Sequence, residues 1–377
     1  MPDPVYLDYA ATAPLRPEAR DAMLAVLSAK WGNASSIHRW GREARAALED
    51  ARARFAAVIG ASPAEIVFTR GGTEGDNLAV LGRAGLEPSR SVACSAIEHK
   101  AVLQATRAAR ANSLHEIAVD GDGTIAVDQV RTIVASDPPS VLSVVWANNE
   151  VGVIQPVDEI AAICRDAGVV FHSDAVQALG KLPVRVDDVS AALLAFSAHK
   201  IGGPKGVGAL FIRRGTQLAP LMYGGGQERG LRPGTEDVAG AVAFAAAAET
   251  AEAEREEVMA RIGALRDRLE AGLRARVPGL VVNAAAAPRL PTISNVSVPG
   301  ADPEMLLMGL DLEGIAASSG SACSSGAVTS SHVLTAMGVA PEIAGPSVRF
   351  SLGRETTEAE IDCVLDVFPS VVERVRS

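Results

Sequence analysis

The chain has 377 residues, of which 48% are hydrophobic and 21% charged, so it can bury a sizeable core and is not disordered. This length suits one large and one smaller domain. The formal net charge of −10 argues against direct binding of nucleic acid or of an anionic membrane, and the start of the chain lacks a signal-peptide pattern, which predicts a cytoplasmic protein.

The first part of the chain predicts an extended arm followed by helices. Residues 6–11 lie ahead of two prolines and have no helical period. Residues 17–28 and 42–59 have the apolar period of helices, and the Gly- and Ser-containing residues 31–40 between them predict a loop.

From residue 66 onward, apolar strands alternate with helical segments. The predicted strands are 66–69, 91–94, 141–146, 169–172, 191–196 and 207–212. Nearly continuous apolar strands separated by helices are typical of an α/β fold with a mainly parallel sheet covered on both faces.

A long alanine-rich helix, from about residue 238 to 274, marks the predicted domain boundary. Beyond it, strands at 293–298 and 347–352, a polar loop and a final helix predict a smaller α+β domain that the N-terminal arm joins. We therefore predict a large domain at 14–255 and a small domain formed by 1–13 and 256–377.

The strongest chemical signal lies where the predicted strand at 191–196 ends. This strand delivers Ser197, His199 and Lys200 to a glycine-rich loop, and strand ends of open α/β sheets are where such proteins place their chemistry. A desolvated lysine has a lowered pKa and can act as a nucleophilic amine. On these residues alone, a solvated lysine at a strand exit is an equal alternative, and Lys205 is predicted to lie on the surface.

Other strand ends carry polar residues that suit one cofactor. Gly72 and Thr73 begin a helix whose free N–H groups favour a phosphate, although a plain turn has the same pattern. Asp174 ends a buried strand, where it either pairs with a cation, such as the ring nitrogen of pyridoxal phosphate, or caps the next turn. His99 also follows a strand and either stacks on a planar ring or packs as an ordinary core histidine.

The four cysteines have the spacing of neither a zinc site nor a disulfide framework. Cys94, Cys164 and Cys363 fall in strand or helix patterns and are predicted to be inert core residues. Cys323 lies among small polar residues, where a thiol suits a nucleophile or is incidental. A lysine, an aspartate, a stackable histidine, a phosphate-binding turn and a cysteine together predict pyridoxal 5'-phosphate as cofactor.

The motifs in combination resemble those of the pyridoxal-phosphate-dependent cysteine desulfurases, in the class-V aminotransferase superfamily. They are found at residues 6–14, 73–74, 98–100, 148–152, 174–177, 197–200, 224–229, 232–235, 318–323 and 349–353. The resemblance runs from residue 6 to about 365. The segment 318–323 is similar to that of the long-loop group, which feeds iron–sulfur assembly or tRNA thiolation.

The resemblance implies fold type I of the pyridoxal-phosphate enzymes and a homodimer that acts on L-cysteine with a sulfur-acceptor protein as partner. Lys200, as the Schiff-base lysine, Cys323, as the sulfur acceptor, and His99 are the implied catalytic residues. Arg349 and Asn149 are implied to bind the substrate. The implied cofactor-binding residues are Gly72, Thr73, His99, Asn149, Asp174, Gln177, Ser197, His199, Lys200 and, from the other subunit, Thr235.

Three features depart from the family pattern. Arg70 precedes the glycines where the family often has serine, and it either lies near the phosphate or points away. Trp146 is bulkier than usual and is expected to alter the shape of the pocket. The chain ends at Ser377, whereas several relatives continue into a scaffold-docking tail, so the acceptor is left open.

The implied activity converts L-cysteine into L-alanine and leaves the sulfur on Cys323 as a persulfide. A selenocysteine lyase or a cysteine-sulfinate desulfinase of the same fold is the closest alternative. An alternative from a different class is a catalytically silent scaffold or regulatory module. The joint retention of Lys200, Asp174, His99 and Cys323 argues against the silent module.

Overall fold

The computed structural model describes residues 4–319 and 331–376. Its helices are α1 (Pro17–Ala29), α2 (Arg39–Ile59), α3 (Gly72–Ala84), α4 (Lys100–Ala108), α5 (Val127–Ser136), α6 (Val157–Asp166), α7 (Val238–Arg276), α8 (Pro303–Leu312), α9 (His332–Ala336), α10 (Pro341–Ala344) and α11 (Glu358–Val375). Its strands are β1 (Val5–Tyr6), β2 (Ile66–Thr69), β3 (Val92–Ser95), β4 (Leu114–Ile117), β5 (Val141–Ser143), β6 (Val170–Asp174), β7 (Leu193–Ser197), β8 (Gly208–Ile212), β9 (Val281–Val282), β10 (Ile293–Ser297), β11 (Ile315–Ala316) and β12 (Ser347–Ser351). In these residues, we find no helix long and apolar enough to cross a membrane.

The central sheet has seven strands in the order β2-β8-β7-β6-β5-β3-β4. Strand β8 is antiparallel to both of its neighbours, and the remaining pairs are parallel. The predicted mainly parallel sheet is therefore confirmed. The edge strand β4 was missed because its Leu-His-Glu-Ile sequence is partly exposed and lacks the continuous apolar run of the inner strands.

The parallel strands bring chemically active residues to one edge of the sheet. The segments that follow the carboxyl ends of β2, β3, β5 and β7 carry Gly72, His99, Asn149 and Lys200, and Asp174 is the last residue of β6. Because the carboxyl ends of parallel strands meet at the same edge, residues far apart in sequence surround one crevice.

An aromatic cluster supports the strand that leads to Lys200. The ring of Phe55 on α2 lies 5.6 Å from that of Phe196 on β7 and 4.7 Å from that of Phe244 on α7, measured between centroids. All three side chains are fully buried. Burying such rings contributes much of the core stability, so helices α2 and α7 hold β7 rigidly from behind.

Two large apolar cores divide the described residues. One joins the central sheet to α1, α2 and the first part of α7, as far as Ala251. The other combines Val5 and Leu7 of the arm with α7 from Ile262 onward, α8, α11 and the antiparallel sheet β12-β10-β9. Helix α7 runs unbroken through both. The division into 14–255 and 1–13 with 256–377 stays a prediction, and the composition of the two cores supports it.

The loop that precedes α7 is held by a buried ion pair. The carboxylate of Glu228 accepts hydrogen bonds from Arg52 Nη1 at 2.8 Å, from Arg52 Nη2 at 2.7 Å and from the backbone N–H of Phe68 at 2.9 Å. Glu228 and Arg229 have φ of 44° and 59°, a left-handed conformation that costs free energy for non-glycine residues. The bidentate pair offsets this strain and fixes the path of the chain towards Thr235.

Candidate active site

A cavity of about 490 Å³ opens at the carboxyl edge of the central sheet. Ten of the predicted site residues line it: Gly72, Thr73, His99, Asn149, Asp174, Gln177, Ser197, His199, Lys200 and Arg349. The N-terminal arm and Ser318 complete its wall. The structure thus gathers residues from all the strand ends named above into one site.

Lys200 reaches this cavity from a single helical turn that follows β7. Its Nζ donates hydrogen bonds to the carbonyl oxygens of Ala10 and Ala11, both at 2.7 Å. Burial, with a smaller contribution from the charge of Arg349, lowers the pKa of Lys200 to about 8. A substantial fraction of this amine is therefore neutral near physiological pH, as a nucleophile or base requires. Lys205 is exposed, as predicted.

We expect Lys200 of the cofactor-free protein to react with a small acylating reagent at a rate that rises through a midpoint near pH 8, because only the neutral amine is nucleophilic. Mass spectrometry of the labelled peptides measures this rate, with exposed Lys205 as the internal reference. Identical pH profiles for the two lysines would contradict a buried, perturbed amine at Lys200.

The lowered pKa of Lys200 also makes the free energy of unfolding of the cofactor-free protein depend on pH. The pKa of Lys200 is about 8 in the folded state and 10.5 in the reference state, so between these values the unfolded chain binds more protons. In that window this lysine makes the free energy of unfolding rise with pH.

Asp174 lines the same cavity as Lys200 and is buried. Its Oδ1 accepts a hydrogen bond from the N–H of Val176 at 2.9 Å, so the capping role that the sequence left open does occur. Burial raises the pKa of Asp174, whereas the nearby His99 and Lys200 oppose the shift. A cation placed in the cavity would stabilise the ionised carboxylate, so capping and cofactor binding are compatible.

The start of α3 forms an anion-binding corner of the site. Gly71 has φ 127°, which only glycine adopts readily, and it provides no side-chain cap for the helix. A Cβ at Gly72 would lie 2.6 Å from Val176 Cγ2, so a larger residue does not fit there. The N–H groups of this first turn are therefore open to an anion, next to Ser197 and Thr73.

Arg349 on β12 is buried and held in one orientation. Its Nη1 donates to the carbonyl oxygen of Asn149 at 2.9 Å, and its Nη2 donates to Asp8 Oδ1 at 2.6 Å. Its Nε is buried and has no hydrogen-bond partner among the described residues. A buried donor without a partner is costly, so this edge of the guanidinium group suits an incoming carboxylate.

The Aminotransferase class-V family matches residues 5–364 of the chain. The chain belongs to this family. A cysteine desulfurase IscS from Dictyoglomus turgidum is 42% identical over 377 residues, which cover 99% of this chain and 95% of that protein. An IscS-like cysteine desulfurase from Mycobacterium tuberculosis is 44% identical, with 98% and 97% covered.

Solved structures of class-V relatives agree with these matches. A NifS-like protein from Rickettsia africae superposes with a TM-score of 0.90 at 31% identity, covering 98% of this chain and 99% of that one. An apo cysteine desulfurase from Thermococcus onnurineus gives 0.85 at 25% identity, covering 99% and 95%. The resemblance to cysteine desulfurases and the fold predicted from the motifs are therefore confirmed.

Asp76 is a residue of this class-V site that the sequence analysis missed. It lies on α3, fully buried, with ligand atoms of Asp76, His99 and Asp174 all within 4.8 Å of one another. Burial, then the charges of Asp174 and Glu98, raise the pKa of Asp76 well above its usual value. Its spacing of four residues from Gly72, one helical turn, was the available signal.

Asp8 and Lys181 were also missed. Asp8 lies in the extended arm, within the motif at residues 6–14, to which the sequence assigned no site residue, yet its carboxylate binds Arg349. Lys181 donates a hydrogen bond from Nζ to Gln177 Oε1 at 2.6 Å. Its spacing of four residues from Gln177 is a helical-turn signal, but no pattern in the sequence placed either residue beside the cavity.

The structure shows where Arg70 and Trp146, the two residues that depart from the family pattern, are directed. The Nη1 of Arg70 lies 3.2 Å from Asp237 Oδ2 and the side chain is exposed, so it points away from the cavity. The expectation that Trp146 alters the pocket is wrong. Its side chain belongs to the central core, whereas its neighbours Val145 and Ala147 line the cavity, so the side chain of Trp146 does not reach the pocket.

Thr235, a predicted site residue, is exposed and does not line this cavity. The predicted sulfur acceptor, Cys323, lies outside the described residues. Burial raises the pKa of both Cys94 and Cys164 to about 12, which agrees with their predicted inertness. Cys363 is only partly buried, because its position on α11 lies beside the apolar face, and its assignment to the core is corrected.

Proposed function

We propose that this protein is a pyridoxal-phosphate-dependent cysteine desulfurase that converts L-cysteine into L-alanine and transfers the sulfur to Cys323. The observation that carries the proposal is one cavity that Lys200, Asp174 and the open start of α3 line together. Sequence identity above 40% to proteins named cysteine desulfurases supports it.

The residues that line the cavity suit each part of pyridoxal phosphate: the phosphate, the aldehyde carbon and the ring. The first turn of α3, with Thr73, Ser197 and His199, would hold the phosphate, and Lys200 would hold the aldehyde carbon. Asp174 would pair with the ring nitrogen. His99 caps α4 by accepting a hydrogen bond from the N–H of Ala101 at its Nδ1, which leaves its ring facing the cavity, where it would stack on the cofactor.

Arg349, Asn149 and Lys200 would have different roles in the proposed reaction. The bound cofactor supplies an electron sink for negative charge at the substrate Cα. The free Nε edge of Arg349 would bind the carboxylate of cysteine, with Asn149 beside it, and the neutral amine of Lys200 would take and return the Cα proton. In the balanced reaction, L-cysteine and the thiol of Cys323 give L-alanine and a Cys323 persulfide.

Substrate comparison tests the proposed activity. We expect the purified protein, loaded with pyridoxal phosphate, to release one alanine for each sulfur transferred from L-cysteine. Amino-acid analysis, alongside equal concentrations of selenocysteine and cysteine sulfinate, measures the preference. Faster alanine release from either of these would favour the lyase or desulfinase alternative, and no alanine from any of the three would favour a silent module.

We propose further that the protein acts as a homodimer in which Thr235 completes the phosphate site of the partner subunit. Exposed Trp31, Ile37, Trp40 and Tyr223 supply apolar surface for such an interface. Thr235 itself is exposed and does not line the cavity of its own chain, which fits a role across an interface.

If Thr235 is shared in this way, dimerisation and cofactor binding are linked by mass action. We expect dilution to weaken cofactor retention, and Thr235→Ala to weaken it about tenfold, the usual effect of losing a charge-assisted hydrogen bond. Equilibrium dialysis at several protein concentrations measures this, with the exposed Thr132→Ala on α5 as control. A stable monomer that retains the cofactor fully would refute the shared site.

We also propose that another protein accepts the sulfur from the persulfide. The similarity of residues 318–323 to the long-loop group supports a protein acceptor in iron–sulfur assembly or tRNA thiolation, working in the cytoplasm. Incubation of the protein with radiolabelled cysteine and a candidate acceptor shows whether the label moves between them.

A further inference from the structure

Lys181 lies behind the cavity and has no role in the mechanism proposed above. It follows the turn after β6, and its side chain lines a second, smaller cavity of about 60 Å³ together with Tyr9, Arg16 and Glu254. Burial, then the charges of Lys200 and Arg349, lower the pKa of Lys181 to about 7. A lysine held in such surroundings loses solvation, so a specific contact is expected to explain it.

That contact is with the side-chain amide of Gln177. Lys181 Nζ donates to Gln177 Oε1 at 2.6 Å, and Gln177 Nε2 donates to the carbonyl oxygen of Ala10 at 2.9 Å. A backbone carbonyl can only accept, and the Lys181 amine keeps N–H donors in both of its protonation states. Both contacts are therefore made in the observed orientation of the amide, whereas the flipped orientation would set the amide oxygen against the Ala10 carbonyl and lose that contact.

The carbonyl oxygen of Ala10 connects the Gln177 amide to Lys200, because it accepts hydrogen bonds from both side chains. Ala10 O also accepts a hydrogen bond from Lys200 Nζ, and both Ala10 and Gln177 line the main cavity. One N–H of the Gln177 amide is used by Ala10, so its second N–H is left for a ligand in that cavity.

We propose that Lys181 is a positioning residue that fixes the orientation of the Gln177 amide, so that Gln177 presents an N–H donor, not a carbonyl oxygen, to the bound cofactor. The inference rests on the proposed function, since the ligand is pyridoxal phosphate. An N–H donor stabilises the anionic oxygen on the pyridine ring, whereas a carbonyl oxygen would repel it.

A double-mutant cycle on cofactor binding tests this coupling. The dissociation constant of pyridoxal 5'-phosphate from the cofactor-free protein is measured for the parent, Lys181→Met, Gln177→Ala and the double variant. We expect each single change to weaken binding about tenfold and the double variant to match Gln177→Ala alone. Lys205→Met, on the exposed loop beyond Lys200, is the matched control and is expected to bind like the parent.

Two further measurements separate positioning from a general packing effect. In Lys181→Met, the pH at which the visible absorption band of the bound cofactor changes is expected to rise, because its anionic ring oxygen loses a donor. Lys181→Arg restores a donor and is expected to recover most of the affinity. If Lys181→Met does not fold, Lys181→Ala, which leaves space beside the smaller cavity, replaces it in the cycle.

The outcomes are distinct. A double variant weakened by the product of the two single effects, or a Lys181→Met protein with the parental affinity and spectrum, overturns the positioning role alone. A parent protein that binds no pyridoxal phosphate overturns the proposed function and this inference together.

Discussion

Lys200→Ala is expected to abolish alanine production from cysteine while leaving the fold intact. In the proposed mechanism the side chain would both anchor the cofactor and supply the amine that moves the Cα proton. General acid–base catalysis alone accelerates a reaction by about 10²–10⁴-fold. Among the described residues, Lys181 is the other lysine beside this site, but its Nζ is engaged by Gln177. Steady-state alanine release and thermal unfolding of the variant measure the two effects.

Lys205→Ala is the control for Lys200→Ala, because it removes an exposed lysine from the same loop. It is expected to keep the parental rate. Near-normal turnover in Lys200→Ala would remove the basis of the proposed mechanism, and loss of the cooperative unfolding transition would show that the change had damaged the fold instead. In the latter case Lys200→Arg, which keeps a donor for Ala10 and Ala11, provides the comparison.

Cys323→Ala is expected to bind the cofactor and L-cysteine but to form almost no alanine and no persulfide. The substrate sulfur needs a thiolate to receive it, and a free thiol near its ordinary pKa is a few per cent ionised at pH 7. The buried thiols of Cys94 and Cys164, whose pKa values are about 12, cannot take over this role. Cyanolysis of the protein after one turnover measures the persulfide directly.

Cys363→Ala is the matched control for Cys323→Ala, since Cys363 is the partly exposed cysteine among those the structure describes. It is expected to keep both alanine release and the persulfide. Full sulfur transfer in Cys323→Ala with none in Cys363→Ala would reassign the acceptor to α11. Full transfer in both would mean that sulfur leaves without a protein thiol.

Site residues could be predicted from the sequence where a polar residue follows a recognisable strand or begins a helix. Lys200 and Asp174 could be placed because each ends an apolar run, and the ends of parallel strands share one edge of the sheet. Gly72 and Thr73 could be placed because a helix start follows a strand. The apolar pattern also indicated the sheet itself, apart from the polar edge strand β4.

The residues that were missed depend on contacts across long sequence separations. The bond between Asp8 and Arg349 joins residues 341 positions apart, and no local period encodes it. Lys181 is understood only once Gln177 and Ala10 are placed around it. The size of Trp146 alone did not indicate that its side chain packs into the central core.

The N-terminal arm has a consequence for how this protein reaches its native state. Val5 pairs with Ile315, and the carbonyl groups of Ala10 and Ala11 hold Lys200, so the arm is the first part of the site to be synthesised and among the last to find its partners. Contacts of high sequence separation form slowly, because a long loop must close before they contribute stability. During translation the central sheet can therefore assemble while its catalytic edge still lacks the arm. We therefore expect competence for chemistry to be a late folding event.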